Sequence, residues 1–329
     1  MIVREERTSI PVYVRAPFSD YFRPQSTGVL DLETTGLSPS GSHLILGGLL
    51  IPAGDCYTAR QYFAEQPEEE GEVIDALMGD LARMQSIVTY NGKRFDLPFL
   101  RRRMEAVHQR TDAALPFNLD LLRIVRRYSQ ISRFLPNLKQ KTLEDFLGLW
   151  TDRMDRIDGG ESVRLYAQYV HTRQQDVLEQ ILLHNRDDIC QLARLLQVIR
   201  KTDFHRAMSE TGFPFNGGRI SSVALRRDGM YIEAVQETAP VEYAAVDEHG
   251  VHCRFSKADG RCRIRGTLVE TAGMRFFDTA PFGSLAETFD GEPDFHDGFV
   301  LVAAGEKVNY RALNRLARAL TERIKNDGL

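Results

Sequence analysis

Residues 28–64 read GVLDLETTGLSPSGSHLILGGLLIPAGDCYTARQYFA. Within this stretch 28–33, 43–51 and 56–64 are dominated by apolar and β-branched residues. Each is parted from the next by a short Gly/Ser/Pro or Ala-Gly-Asp turn, so together they predict a three-stranded meander. An acidic helix start at 68–72 then leads into Val73, Leu77, Leu81 and Met84 at helical spacing, followed by a buried-type strand, SIVTY (86–90). A helix near 97–107, a strand FNLDLL (117–122) and further helices come next. The last of these, about 174–200, places Leu178, Ile181, Leu182, Ile189, Leu192 and Leu196 on one stripe. A meander followed by alternating helices and strands predicts an α/β architecture, a mixed sheet with helices on its faces.

That pattern occupies about 200 of the 329 residues, and a chain of this length holds about two domains. After FPFNGG (213–218) the texture changes to short strands with turns at 228–229, 249–250 and 259–260, and a terminal helix carries Leu313, Leu316, Leu320 and Ile324. The expected division is an N-terminal extension at 1–25, the α/β domain at 26–205, and a smaller β-rich α+β domain of unknown fold at 206–329, serving substrate or partner binding rather than chemistry. A hydrophobic fraction of 43% excludes intrinsic disorder. No apolar run reaches bilayer-spanning length and the N-terminus lacks a signal-peptide pattern, which disfavours membrane and secreted classes. Cys56, Cys190, Cys253 and Cys262 show no C-x-x-C spacing. They suit a reducing cytoplasm, and free thiols are favoured over a bridge between Cys253 and Cys262 across the 259–260 hairpin.

The net charge of -4 conceals an uneven distribution: residues 92–141 hold twelve Lys/Arg against four acids. The segment, with Arg101, Arg102 and Arg103 on one helix, is expected to supply phosphate contacts.

Three groups of polar residues interrupt the apolar pattern. Asp31 and Glu33 lie two apart on a strand, so both side chains leave on one face, where repulsion and desolvation are unfavourable unless a hard cation lies between them. Solvation of a strand end explains such a pair equally well. Asp96 opens the helix after SIVTY, where sheet proteins place ligands. It is also a natural N-cap, and Asn91 and Gly92 before it can turn their amides to a phosphate. His184, Asp187 and Asp188 share a face of the last helix, which a solvated surface would also account for.

In order, DLETTGL (31–37), YNGKRFDLPFL (90–100), NLDLLRIVRR (118–127), LKQKTLEDFLGL (138–149) and HNRDDICQLARLL (184–196) resemble the DEDD 3′–5′ exonuclease superfamily, specifically its YprB-type ribonuclease H-like members. The resemblance covers about 28–199 and implies a ribonuclease H-like fold. It also implies a two-metal phosphodiesterase using Mg²⁺ or Mn²⁺, with Asp31, Glu33, Asp96 and Asp188 as ligands. Thr34, Thr35, Asn91, Lys93 and Arg94 would then contact a single-stranded nucleic-acid end, with Asp120 close by but not a ligand. Related members carry Tyr where this chain has His184, which is assigned as general base or orienter of the attacking water. An endonuclease of the same fold and a non-catalytic nucleic-acid-binding scaffold remain open alternatives. No motif distinguishes DNA from RNA.

Overall fold

A computed structural model describes residues 1–109, 114–149, 153–154, 157 and 159–328. Arg110 and Asp112 of the basic segment lie outside the described residues. The chain divides into two units, Met1–Thr202 and Asp203–Leu329.

The first unit is built on six strands, β1 (Ile2–Pro11), β2 (Thr27–Thr34), β3 (Leu44–Ala53), β4 (Cys56–Phe63), β5 (Ser86–Thr89) and β6 (Phe117–Asp120), in the order β1-β4-β3-β2-β5-β6. The first four form an antiparallel run, while β5 and β6 continue it parallel to β2. The C-terminal ends of β2, β5 and β6 therefore open at the same edge, and each delivers an acidic residue or turn there. Residues 1–11, set apart by the sequence reading as an extension, are the edge strand. Its Arg-Glu-Glu-Arg stretch hides the alternation that buries Thr8 and Ile10, and charges on an edge discourage further strand pairing.

Helices α1 (Glu70–Leu81) and α2 (Asp96–His108) cover one face. There Val73, Ile74, Leu77, Phe99 and Leu100 bury against Leu30, Leu32 and Leu49, each fully buried side chain worth about 1.5–3 kcal/mol. Next come α3 (Leu121–Tyr128), α4 (Gln140–Phe146), α5 (Gly159–Thr172) and α6 (Gln175–Leu195). Helices α5 and α6 cover the opposite face, Tyr166, Tyr169, Ile181 and Leu182 meeting Ile45, Leu46 and Phe63. The predicted strand FNLDLL stops at Asp120, because that side chain accepts the Arg123 amide and caps α3.

Two glycines let both layers close on β3. A Cβ on Gly47 would lie 2.8 Å from Leu77 of α1, and one on Gly48, facing the other way, 2.0 Å from Asn185 of α6. Strand glycines of this kind mark a close approach.

The second unit begins with α7 (Phe204–Thr211) and continues as β7 (Phe213–Phe215), β8 (Gly218–Arg226), β9 (Gly229–Gln236), β10 (Tyr243–Val246), β11 (His252–Phe255) and β12 (Arg261–Gly266). These strands form an antiparallel sheet in the order β10-β11-β12-β9-β8-β7. A smaller antiparallel sheet follows, and α8 (Tyr310–Asp327), capped by Asn309, buries Leu313, Leu316, Leu320 and Ile324. Cys253 stands opposite Ile264 and Cys262 opposite Phe255, so the two sulfurs are not directly paired, and all four cysteines are free thiols. Among the described residues no helix is long and apolar enough to cross a membrane.

Candidate active site

Strand β2 carries the first two acids. Leu30 and Leu32 point into the α1/α2 layer, so period two turns Asp31 and Glu33 to the α6 side, where Glu33 is buried and Asp31 half-buried. Asp31 is opposite Gly48 in register, and Gly48 in turn opposite Gln61. The space left by the missing Cβ is taken by Asn185, whose Nδ2 donates to Asp31 Oδ2 at 3.1 Å. Its Oδ1 accepts from Gln61 Nε2 at 2.9 Å. One glycine thus lets a helix side chain fix the orientation of a sheet carboxylate.

Asp96 is not the helix N-cap. Phe95 holds that position without a side-chain cap, and Asp96 is the first residue of α2. Its Oδ1 instead accepts the Leu32 amide at 3.2 Å, which binds it to the backbone between Asp31 and Glu33. On α6 the His184–Asp188 face is enclosed rather than solvated: His184, Asn185 and Asp187 are buried and Asp188 is partly so. His184 Nε2 lies 3.5 Å from Glu33 Oε1 and 3.6 Å from Asp188 Oδ2. Donor atoms of Glu33, His184 and Asp188 all fall within 4.8 Å of one another, a spacing able to hold a metal ion.

Asp31 and Asp96 are strained electrostatically. Burial, then the charges of Asp188, Glu33 and Asp96, hold the Asp31 carboxyl well above its usual range, against a hydrogen bond from Asn185. Burial pushes Asp96 up to about 7, opposed by its own and the Leu32 amides and reinforced by Asp120 and Glu33. Crowded carboxyls that resist ionisation are what a hard divalent cation relieves, and a set of carboxylates with one imidazole beside it suits Mg²⁺ or Mn²⁺. The residues fit the ions expected from the sequence.

One cation is supplied by the chain itself. The Arg153 side chain, wholly enclosed, donates to Asp188 Oδ1 and, at 3.2 Å, to Glu144 Oε2. Gln140 Nε2 bridges Glu144 Oε1 and the Asp188 carbonyl at 2.9 and 3.0 Å, and Asp187 Oδ2 accepts the Met154 amide at 2.7 Å. Sequence reasoning missed Arg153, Glu144, Asn185, Gln61 and Gly48. Only the paired glycines inside a strand offered a signal, since an isolated Arg or Glu carries no periodic signature.

The remaining site residues fall around this centre. The Thr34 hydroxyl donates to the Gly36 carbonyl at 2.9 Å, and Thr35 Oγ1 accepts the His43 amide at 2.8 Å. Lys93 and Arg94 are exposed at the start of α2, and Asn91 is half-buried with φ of 70°. The expectation of an open amide at Asn91 needs correction. Asn91 N and Lys93 N donate to Asp120 at 3.0 and 3.2 Å, so these two amides hold Asp120. A Cβ on Gly92 would sit 2.3 Å from Thr89 Oγ1, making its small size a packing demand. The arginine triplet also divides. Arg103 is buried and binds Glu70 at 2.7 and 2.6 Å and the Pro39 carbonyl at 3.0 Å. Arg102 pairs with Glu105 at 2.9 Å, leaving Arg101 exposed.

The family model RNase_H_2, described as RNase_H superfamily, matches residues 29–200. The chain belongs to the RNase_H superfamily. Its mixed six-stranded sheet, flanked by helices and followed by a separate β-rich region, is the ribonuclease H-like fold expected from the sequence. The chain is 29% identical over 167 residues to the "Uncharacterized protein YprB" of Bacillus subtilis (strain 168), a match spanning 50% of this chain but only 40% of that protein. In solved structures, the family B DNA polymerase from the hyperthermophilic archaeon Pyrobaculum calidifontis aligns over 91% of this chain and 46% of its own length. The TM-score is 0.41 at 14% identity.

Proposed function

We propose that this protein is a divalent-metal-dependent nuclease that hydrolyses phosphodiester bonds at single-stranded nucleic-acid ends in the 3′→5′ direction. The observation that carries the reading is the convergence of Asp31, Glu33, Asp96 and Asp188 from three separate elements, with Asp31 and Asp96 held well above the usual carboxylate range. Two ions, Mg²⁺ or Mn²⁺, held by these four acids would activate water and stabilise charge on the phosphate and leaving oxygens.

The chain's own residues then divide the work. Asn185 orients Asp31, and the Leu32 amide orients Asp96. His184, with Nε2 facing both Glu33 and Asp188, orients the attacking water and receives its proton, the role a positioned imidazole nitrogen plays as general base. Lys93 and Arg94 give the rim a positive charge that favours the phosphate backbone, with Thr34, Thr35 and Asn91 beside it. Arg153 compensates Asp188, so an ion must share or displace that guanidinium. The chemistry is assigned to 26–205 and binding to 206–329. The polarity and the preference for single-stranded ends come from the sequence resemblance.

A degradation assay with 5′- and 3′-labelled DNA and RNA oligonucleotides, in Mg²⁺ or Mn²⁺ against EDTA, tests this. A ladder shortening from the 3′ end, lost in EDTA, is expected. Internal fragments would replace the exonuclease with an endonuclease, and absence of cleavage with either ion would leave a scaffold.

A further inference from the structure

In the second unit, the β10-β11-β12-β9-β8 sheet has one face turned to the unit's core, bearing Ile220, Met230, Ile232, Cys253, Phe255, Cys262 and Ile264, all buried. The opposite face bears a groove of about 670 Å³. Register brings its side chains into two rows. Arg254 of β11 faces Arg263 of β12, which faces Glu233 of β9; His252 faces Arg265, which faces Tyr231. Arg226, at the end of β8, lies with its guanidinium 4.5 Å from the centre of the Tyr231 ring, and Arg265 lies 5.8 Å away. Small residues, Ser222, Ala224 and Ala244, also line it.

Two arginines directly opposite across a strand pair are unfavourable by like-charge repulsion. Among the described residues neither Arg254 nor Arg263 has a carboxylate within 4.0 Å, and Arg226 has none, whereas Arg265 pairs with Asp228 at 3.1 Å. An antiparallel sheet solvated on one face needs polar residues there, but nothing in folding requires four arginines in a lining whose acidic side chain is Glu233. Four guanidinia on one concave face, two of them over the Tyr231 ring, match a chain of phosphates carrying bases. Arginine grips phosphate oxygens, and the Tyr231–Arg stack offers planes on which bases lie.

We infer that this groove is a second nucleic-acid-binding site, separate from the acidic cluster, that takes a single-stranded segment. The inference rests on the nucleic-acid reading of the first unit and extends it, giving the β-rich unit a defined ligand and naming the residues that hold it.

The test measures binding of full-length protein to fluorescein-labelled dT20 and rU20 by anisotropy across a salt series, with EDTA present so that no turnover intervenes. In the double variant Arg254→Gln/Arg263→Gln, the salt dependence of log affinity should flatten by about 1.4, the contribution of two single-strand phosphate contacts. Tyr231→Ala should weaken binding about tenfold. The double variant Arg254→Lys/Arg263→Lys, which keeps the charges, should restore the slope, showing that the loss is not one of folding. Should the Gln pair fail to fold, the single variants carry the same comparison at half the change in slope. Unaltered affinity and slope in folded Gln variants overturns the inference even if the protein cleaves oligonucleotides. Weakened binding supports it even if no cleavage occurs with Mg²⁺ or Mn²⁺. Tighter binding of polyglutamate than of either oligonucleotide, lost in the Gln variants, overturns it in favour of an acidic protein partner.

Discussion

Neutralising Asp96 should stabilise the protein at alkaline pH and leave it unchanged in acid. The folded-state carboxyl titrates at about 7 against an ordinary 3.8, so between those values the native state binds a proton that the unfolded chain has released. Stability therefore falls as pH rises through this window and is lowest above pH 7. At 1.36 kcal/mol per pH unit the rise corresponds to about 4 kcal/mol. Asp96→Asn keeps an oxygen for the Leu32 amide while removing the charge, so at pH 8 in EDTA it should recover up to about 4 kcal/mol. For a unit of this size that is roughly 10 °C in the melting temperature; at pH 4 the two proteins should melt together. Scanning calorimetry at pH 4, 6 and 8, with and without Mg²⁺, makes the comparison, and Mg²⁺ should stabilise the wild type at pH 8 more than the variant. If Asp96→Asn melts below the wild type at pH 8 by as much as at pH 4, the carboxyl is not under strain, and the argument from crowded acids to a cation site fails with it.

Other expected outcomes follow from the same geometry. Asp31→Asn, Glu33→Gln and Asp188→Asn should each abolish metal-dependent cleavage in a folded protein; wild-type turnover in any one removes that residue from the ligand set. His184→Ala should slow cleavage by about 10²–10⁴-fold and erase the acid limb of the pH–rate profile, whereas full activity with an unchanged pH profile in His184→Tyr would refute a proton-accepting role. Gly48→Ala, whose Cβ would press on Asn185 Oδ1, should cost about 1–3 kcal/mol and weaken Mg²⁺ binding by disturbing Asp31. Urea unfolding and calorimetric titration read the two effects, and a wild-type value for both would show that α6 shifts without consequence. Asp120→Ala leaves the amides of Asn91, Lys93 and Arg123 without their acceptor and should cost about 2 kcal/mol or more in unfolding free energy.

The layers of the first unit were legible because burial writes a period into the sequence. The three meander strands and the leucine stripe of α6 are apolar at spacings that only one element type can use. Strand β1 escaped because its outward charges outnumber its buried residues, and the end of β6 because capping by Asp120 overrides the apolar run that continues past it. In the candidate site, the four proposed ligands stood out by type and order, but their surroundings did not. The burial of the His184–Asp188 face follows from α6 lying flat across Gly48, a tertiary fact absent from helix periodicity. The engagement of Arg103 with Glu70, and of Arg153 with Asp188, joins positions 33 and 35 apart, a kind of pairing that local pattern does not encode. The arginines of the β-rich unit looked like ordinary alternation until cross-strand register placed them on one surface.

The edge strand β1 has a consequence for the order in which the molecule can assemble. Its Arg4 pairs with Glu179 and its Glu6 with Arg186, contacts that span 175 and 180 residues, and both partners sit on the helix that presents His184 and Asp188. The chain ends that meet here are the first and nearly the last of the unit to be synthesised, so the loop they close is about as long as the unit allows, and long-range closure slows folding. A ribosome-bound chain can complete the α1 and α2 layer early, yet in the proposed ligand set Asp31, Glu33 and Asp96 wait for Asp188 until that residue has emerged and β1 has clasped the helix. Until then the proposed cradle is half-built, and the last part to arrive is also the one tied to the first strand of the unit.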